Sequence, residues 1–170
     1  MNRKNISRRN FLKKSVTAGM ASMFAPTIIS SKVMAAPGRT GANDKIIIGG
    51  IGVGGRGNSL LNTFSKFDDV EIAAVADADM NRANEIGKRY GAEPYQDYRR
   101  LLERDDIDGV VIASPDHWHA LHSIHAAQAG KDIYCEKALT LTVHEGRQIV
   151  KAVRKYNRVF QTGTQQQIGR

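Results

Sequence analysis

The sequence predicts an α/β domain built on a doubly wound parallel sheet, and two observations carry that expectation. After residue 44, short apolar runs alternate with segments of helical periodicity, the pattern that right-handed crossovers of about 10 to 15 residues between parallel strands produce. Between the first run and the first helical segment lies Gly52-Val53-Gly54-Gly55-Arg56-Gly57, a glycine-rich turn from strand to helix. The chain has 170 residues, and the roughly 135 beyond residue 35 suffice for one core but not for a second full domain.

Each element has a local reason. Residues 45–51 (KIIIGGI) read as a buried strand, and residues 58–67 set Leu60, Leu61, Phe64 and Phe67 on one helical face. Residues 70–76 (VEIAAVA) are the second strand. Residues 80–90 form a helix with Ala83, Ile86 and Tyr90 turned inward, stopped by Gly91, because glycine takes the left-handed helix-ending conformation without a Cβ clash. A short segment at Tyr95, a helix over 98–103 and a strand over 109–113 (GVVIA) come next. Residues 117–129 are helical up to Gly130, 132–135 form a short strand, 142–156 a helix and 158–162 the last strand. Thr142 and Glu145 have capping-box spacing, in which each side chain satisfies a backbone N–H of the other residue, and this sets the start of that helix.

Charge divides the chain. The formal net charge of +8, from 25 Lys and Arg against 17 Asp and Glu, suggests a polyanion binder. Seven of the basic residues (Arg3, Lys4, Arg8, Arg9, Lys13, Lys14, Lys32) fall within residues 1–35, which hold no acidic one, so the rest is nearly neutral. Nucleic acid is therefore not an expected partner. Residues 1–35 have the three-part layout of a secretory signal, with Val33 and Ala35 at −3 and −1 of a cut after Ala35. The apolar stretch 16–29 is rich in small residues and falls short of the roughly 20 apolar residues of a membrane span, so an uncleaved anchor is the weaker alternative. Ser7-Arg8-Arg9-Asn10-Phe11-Leu12-Lys13 resembles the twin-arginine export signal at each fixed position. That resemblance implies the twin-arginine machinery as a partner, export of an already folded chain, and a periplasmic or envelope location. A Gly/Pro/Asn-rich linker over 36–44 precedes the domain.

The single cysteine, Cys135, excludes an intramolecular disulfide and lies in a buried strand, where reactivity is not expected. In the G-x-G-x-x-G loop, Gly52 makes the tight turn, Gly54 lets a pyrophosphate approach the backbone, and Gly57 lets helix pack on strand, with Gly55 and Arg56 between them. This is the fingerprint of a Rossmann dinucleotide site, with phosphates on the positive helix end. The bland alternative is a purely structural turn. Asp77 ends the second strand, 25 residues after Gly52, where a carboxylate accepts hydrogen bonds from both ribose hydroxyls and opposes a 2′-phosphate, so NAD is favoured over NADP. Arg56, near the adenosine end, is available to a phosphate.

Two further groups stand at carboxyl ends of strands: Ser114-Pro115-Asp116-His117-Trp118-His119 and Tyr134-Cys135-Glu136-Lys137. The order of these motifs, with Val75-Ala76-Asp77 before them and Gly163-Thr164-Gln165 after, resembles the N-terminal domain of the glucose-fructose oxidoreductase and inositol dehydrogenase (Gfo/Idh/MocA) family over residues 45–167. Its exported twin-arginine members include some similar to NAD-dependent glycosidases acting on α-N-acetylgalactosamine. The resemblance implies that Asp77 holds the adenosine ribose, that Ser114, Asp116, Trp118 and His119 line the nicotinamide half, and that Glu136 binds the nicotinamide ribose. It implies Lys137 as the catalytic residue, touching cofactor and substrate. An ammonium partly desolvated in a cleft polarises a hydroxyl or carbonyl oxygen and gives up its proton more readily than in water. Ala138 replaces the family's proline, which stiffens the turn that aims this lysine.

His117, His119, His122 and His125 lack a carboxylate set apart from Asp116, and no metal is expected. Trp118 either shields the nicotinamide or packs in the core. Family members continue into a second α/β domain that supplies substrate contacts and usually the oligomer interface. The expectation is a fragment or truncated product, with residues 168–170 as the first residues beyond the cofactor domain, and with little activity alone. Three activities stay open: hydride transfer from a sugar or polyol hydroxyl, a glycosidase that oxidises its sugar transiently, and a non-catalytic NAD-binding module.

Overall fold

A computed structural model describes residues 45–164. The export signal over 1–35, the linker over 36–44, Gln165 and the expected domain end at 167 with residues 168–170 lie outside the described residues. Six strands and five helices are described: β1 (Ile46–Ile51), α1 (Gly55–Phe64), β2 (Val70–Ala76), α2 (Met80–Tyr90), β3 (Glu93–Tyr95), α3 (Tyr98–Leu102), β4 (Gly109–Ile112), α4 (Asp116–Gln128), β5 (Asp132–Glu136), α5 (Val143–Lys155) and β6 (Phe160–Gly163). All strand pairs are parallel and the sheet runs β3-β2-β1-β4-β5-β6. The predicted doubly wound sheet is present.

Successive side chains of a strand point to opposite faces, and here both faces are covered. In β4, Val110 and Ile112 pack with Leu101, Ala126 and Ala152 from α3, α4 and α5. Val111 points the other way and packs with Leu60, Leu61 and Ile86 from α1 and α2. This two-sided burial is why β4 reads as an unbroken apolar run. The chain winds in one direction from β1 to β3 and in the other from β4 to β6, so a crevice opens beyond the carboxyl ends of β1 and β4.

Helix ends obey local chemistry. Asp79 caps α2 by accepting the Asn81 N–H at 3.0 Å, and Gly91 ends it at φ 67°. Thr142 and Glu145 form the expected capping box, with Glu145 N–H to Thr142 Oγ1 at 3.2 Å and Thr142 N–H to Glu145 Oε2 at 3.0 Å. The first helix departs from expectation. It begins at Gly55 within the glycine loop and ends at Phe64, and Phe67 is 56% exposed rather than turned inward. The chain leaves the helix at Ser65 and turns so that Val70 N–H reaches the Phe67 carbonyl, which starts β2. β5 runs one residue further than expected and takes in Glu136.

Candidate functional site

The glycine loop is packed on one side and open on the other. Gly52 sits at φ +77°, and a Cβ there would lie 2.5 Å from Ser114 Cα. A Cβ on Gly57 would run into the Gly52 carbonyl oxygen. These two glycines let β1, α1 and the end of β4 approach closely. At Gly54, by contrast, a Cβ would meet nothing within 4 Å. Gly54 is also the N-cap of α1, whose first turn carries no acidic residue, so the positive helix end faces open space.

Asp77 ties β2 to this loop. Its Oδ2 accepts the Val53 N–H at 3.0 Å, and its Oδ1 accepts the Asp79 N–H at 3.0 Å and Arg82 Nη1 at 2.9 Å. The carboxylate is thus held rigidly at the strand tip. It lines a cleft of about 930 Å³ together with Gly52, Gly54, Arg82, Ser114 and Trp118. The far wall is aromatic. The Tyr98 and His122 ring centroids are 4.1 Å apart, and Trp118, 43% exposed, stacks on His122 at 5.6 Å. Ser114 Oγ lies 3.0 Å from His122 Nδ1, and Tyr98 Oη 2.8 Å from His125 Nδ1. Burial, with His119 and His125 nearby, pushes His122 down to about 4, so its ring is neutral at neutral pH.

Sequence alone did not single out Tyr98, Arg82 or Arg99, although all three line the cleft. The signal that could have found them is positional, since Tyr98 and Arg99 open the helix just beyond β3, at the same carboxyl edge of the sheet as Asp77.

Glu136 and Lys137 lie at the end of β5, outside that cleft. The Glu136 carboxylate is buried, 4% exposed, and its Oε1 accepts Nε and Nη2 of Arg56, both at 2.7 Å. Its Oε2 accepts the Lys137 N–H at 3.0 Å. Arg56, expected beside the adenosine, thus points toward β5 instead. The Lys137 side chain is exposed and the Lys137–Ala138 peptide is cis. His119 is 1% exposed, one ring nitrogen 2.7 Å from the Ser114 carbonyl and the other 2.7 Å from that of Ala138. It clamps the turn after β4 to the turn after β5. Asp116 and His117 are exposed in the first turn of α4. Cys135 is buried, which pushes its thiol up to about 12 and leaves it unreactive. Among the described residues, no three His, Cys, Asp or Glu side chains group as a metal-ligand set.

The site's parts fit a dinucleotide: an approachable Gly54, an open helix N-terminus and a fixed carboxylate 25 residues beyond Gly52. Comparison with known proteins agrees. Residues 46–164 match the GFO_IDH_MocA family, described as an oxidoreductase family with an NAD-binding Rossmann fold. A glycosyl hydrolase family 109 protein of Shewanella sp. (strain W3-18-1) is 36% identical over 167 residues, covering 86% of this chain and 36% of that protein. An α-N-acetylgalactosaminidase of Shewanella oneidensis is 38% identical over 169 residues, with the same coverage. The chain spans about a third of the length of these relatives. Among solved structures, an NAD-binding oxidoreductase from Klebsiella pneumoniae superposes with TM-score 0.66 at 27% identity, over 70% of this chain and 34% of that one. A 3-ketoreductase from Actinomadura kijaniata in complex with TDP-benzene and NADP superposes with TM-score 0.66 at 29% identity, over 69% and 38%. Sequence match, strand order and glycine loop converge, and the chain belongs to the Gfo/Idh/MocA oxidoreductase family as an NAD(P)-binding Rossmann domain.

Proposed function

We propose that this chain is the cofactor-binding part of an oxidoreductase acting on a sugar or polyol hydroxyl, and that it takes NAD in preference to NADP. The observation that carries the proposal is the Asp77 carboxylate, locked to the glycine loop through Val53 and facing the cleft. Gly54 and Gly55 leave the α1 N-terminus open to the pyrophosphate, while Gly52 and Gly57 allow the close packing that shapes the loop. Asp77 receives the adenosine ribose. Asp79 and Asp97 line the same cleft, and its two guanidiniums, Arg82 and Arg99, are already paired with these carboxylates. A 2′-phosphate would therefore meet surplus negative charge, which supports NAD. Glu136 binds the second ribose, with Ser114, Asp116 and Trp118 around the crevice; His119, expected to line it, is instead buried as the clamp between the turns after β4 and β5. Bound NAD supplies a hydride acceptor. With the substrate seated over it, desolvation favours the neutral Lys137 amine, which takes the proton from the substrate hydroxyl as that group becomes a carbonyl.

Calorimetric titration tests the site. NAD should bind more tightly than NADP, and Asp77→Ala should weaken NAD binding by about 1.5 kcal/mol, the cost of losing hydrogen bonds to a charged acceptor. Unchanged affinity overturns the assignment.

A second reading rests on the similarity to the glycosyl hydrolase family 109 protein and the α-N-acetylgalactosaminidase. In that reading the same residues serve a transient oxidation of the sugar, followed by elimination, water addition and re-reduction. A protein carrying both this domain and a substrate domain decides between the two. Net NADH formation from sugar supports the first, and aryl glycoside hydrolysis without net NADH supports the second. NAD binding with neither supports a non-catalytic module. We also propose export through the twin-arginine machinery, on the motif from Ser7 to Lys13. A reporter fused to residues 1–40 should reach the periplasm, and replacing Arg8 and Arg9 with Lys should retain it in the cytoplasm.

A further inference from the structure

Arg56 sits in the glycine loop, in the first turn of α1, yet its guanidinium is paired with Glu136 at the end of β5. β4 lies between β1 and β5, so this pair joins the loop after β1 to the end of a strand two positions away in the sheet. It ends on a carboxylate that is nearly inaccessible to water, and such a group needs charged or hydrogen-bonded partners. Gly163 leaves room for that carboxylate, since a Cβ there would lie 3.1 Å from Glu136 Oε1. With Oε1 engaged by Arg56, Oε2 is turned to the main-chain N–H of Lys137, at the root of the turn that carries the lysine.

We propose that Arg56 is a positioning residue: acting through Glu136, it sets the carboxylate and the Lys137 turn in the geometry that receives the nicotinamide half of the cofactor. It thereby couples the pyrophosphate loop to the far half of the crevice. The proposal rests on the NAD reading above.

The test uses the full 170-residue chain with two probes. AMP reaches only the cleft around Asp77, whereas NAD also needs the far half. Arg56→Gln should weaken NAD about tenfold, as expected for loss of a charge-assisted pair, and leave AMP within about twofold. Arg56→Lys, which keeps the charge but not the fork, should recover part of the loss. Combining Arg56→Gln with Glu136→Gln should cost no more than Glu136→Gln alone, because the two act as one unit. Unchanged NAD affinity in Arg56→Gln, equal losses for AMP and NAD, or additive losses overturn the proposal. Should Arg56→Gln fail to fold in a thermal melt, the NAD-to-AMP affinity ratio of Arg56→Lys decides: a fall supports the proposal and an unchanged ratio overturns it. A wild-type chain that binds neither nucleotide overturns the cofactor reading as well, which separates the two failures.

Discussion

The two sides of the crevice are built differently. At the carboxyl ends of β1 and β2, Gly54 and Asp77 line a cleft together with Tyr98 of α3 and with His122 and Trp118 of α4. On the β5 side, the Lys137 side chain is exposed, and Leu141 and Val143 just beyond it are exposed apolar residues. One side is a finished receptor, while the other presents groups on an open shelf. In the proposed function this matches a division of labour. The adenosine is the same in every reaction and is recognised locally, whereas the reacting end must be shared with whatever holds the substrate.

The largest expected effect lies at the glycines. Gly57→Ala should cost about 3 kcal/mol of stability, since the added Cβ meets the Gly52 carbonyl and the loop must shift. Chemical denaturation measures this loss, and nucleotide binding should fall with it. Next comes pH. The pKa of His122 is lowered on folding to about 4 from 6.5, so between these values the unfolded chain binds a proton that the folded chain does not. The His122 contribution to stability is therefore present above pH 6.5 and is lost as the pH drops toward 4, a decline of about 2 kcal/mol after allowance for partial solvation. Melts across that range should show the decline, and His122→Gln should flatten it. Asp77→Ala, at about 1.5 kcal/mol, should weaken AMP and NAD equally, in contrast to Arg56→Gln. The smallest effect belongs to Lys137→Met. An exposed lysine at a strand end should change stability by no more than about 0.5 kcal/mol and leave AMP binding intact, while abolishing turnover in a protein that also carries a substrate domain. A large loss of AMP affinity in Lys137→Met would show that the two sides are not separate.

Much of this arrangement is legible in the chain. Apolar runs separated by helical periodicity specify parallel strands, and the position of Gly52, Gly54 and Gly57 between a strand and a helix specifies the loop, because backbone sterics act over few residues. The Thr142–Glu145 cap is legible for the same reason. Periodicity misplaces Phe67 because it does not reveal where a helix stops, and here the turn into β2 ends it three residues earlier. Loop position alone sets Arg56 beside the adenosine, whereas its partner, Glu136, lies 80 residues away and draws it toward β5. His119 lies at the expected turn, but its role as a clamp depends on a carbonyl 19 residues further on.

Local propensity and the period of the apolar pattern set the element order, the winding of the sheet and the chemistry available at each strand tip. Which charges meet, which aromatic residues form a wall and which imidazoles are sealed from water follow instead from long-range packing. Those pairings join residues far apart in the chain, and a side chain's direction is chosen by packing and by the cost of burying an unpaired polar group.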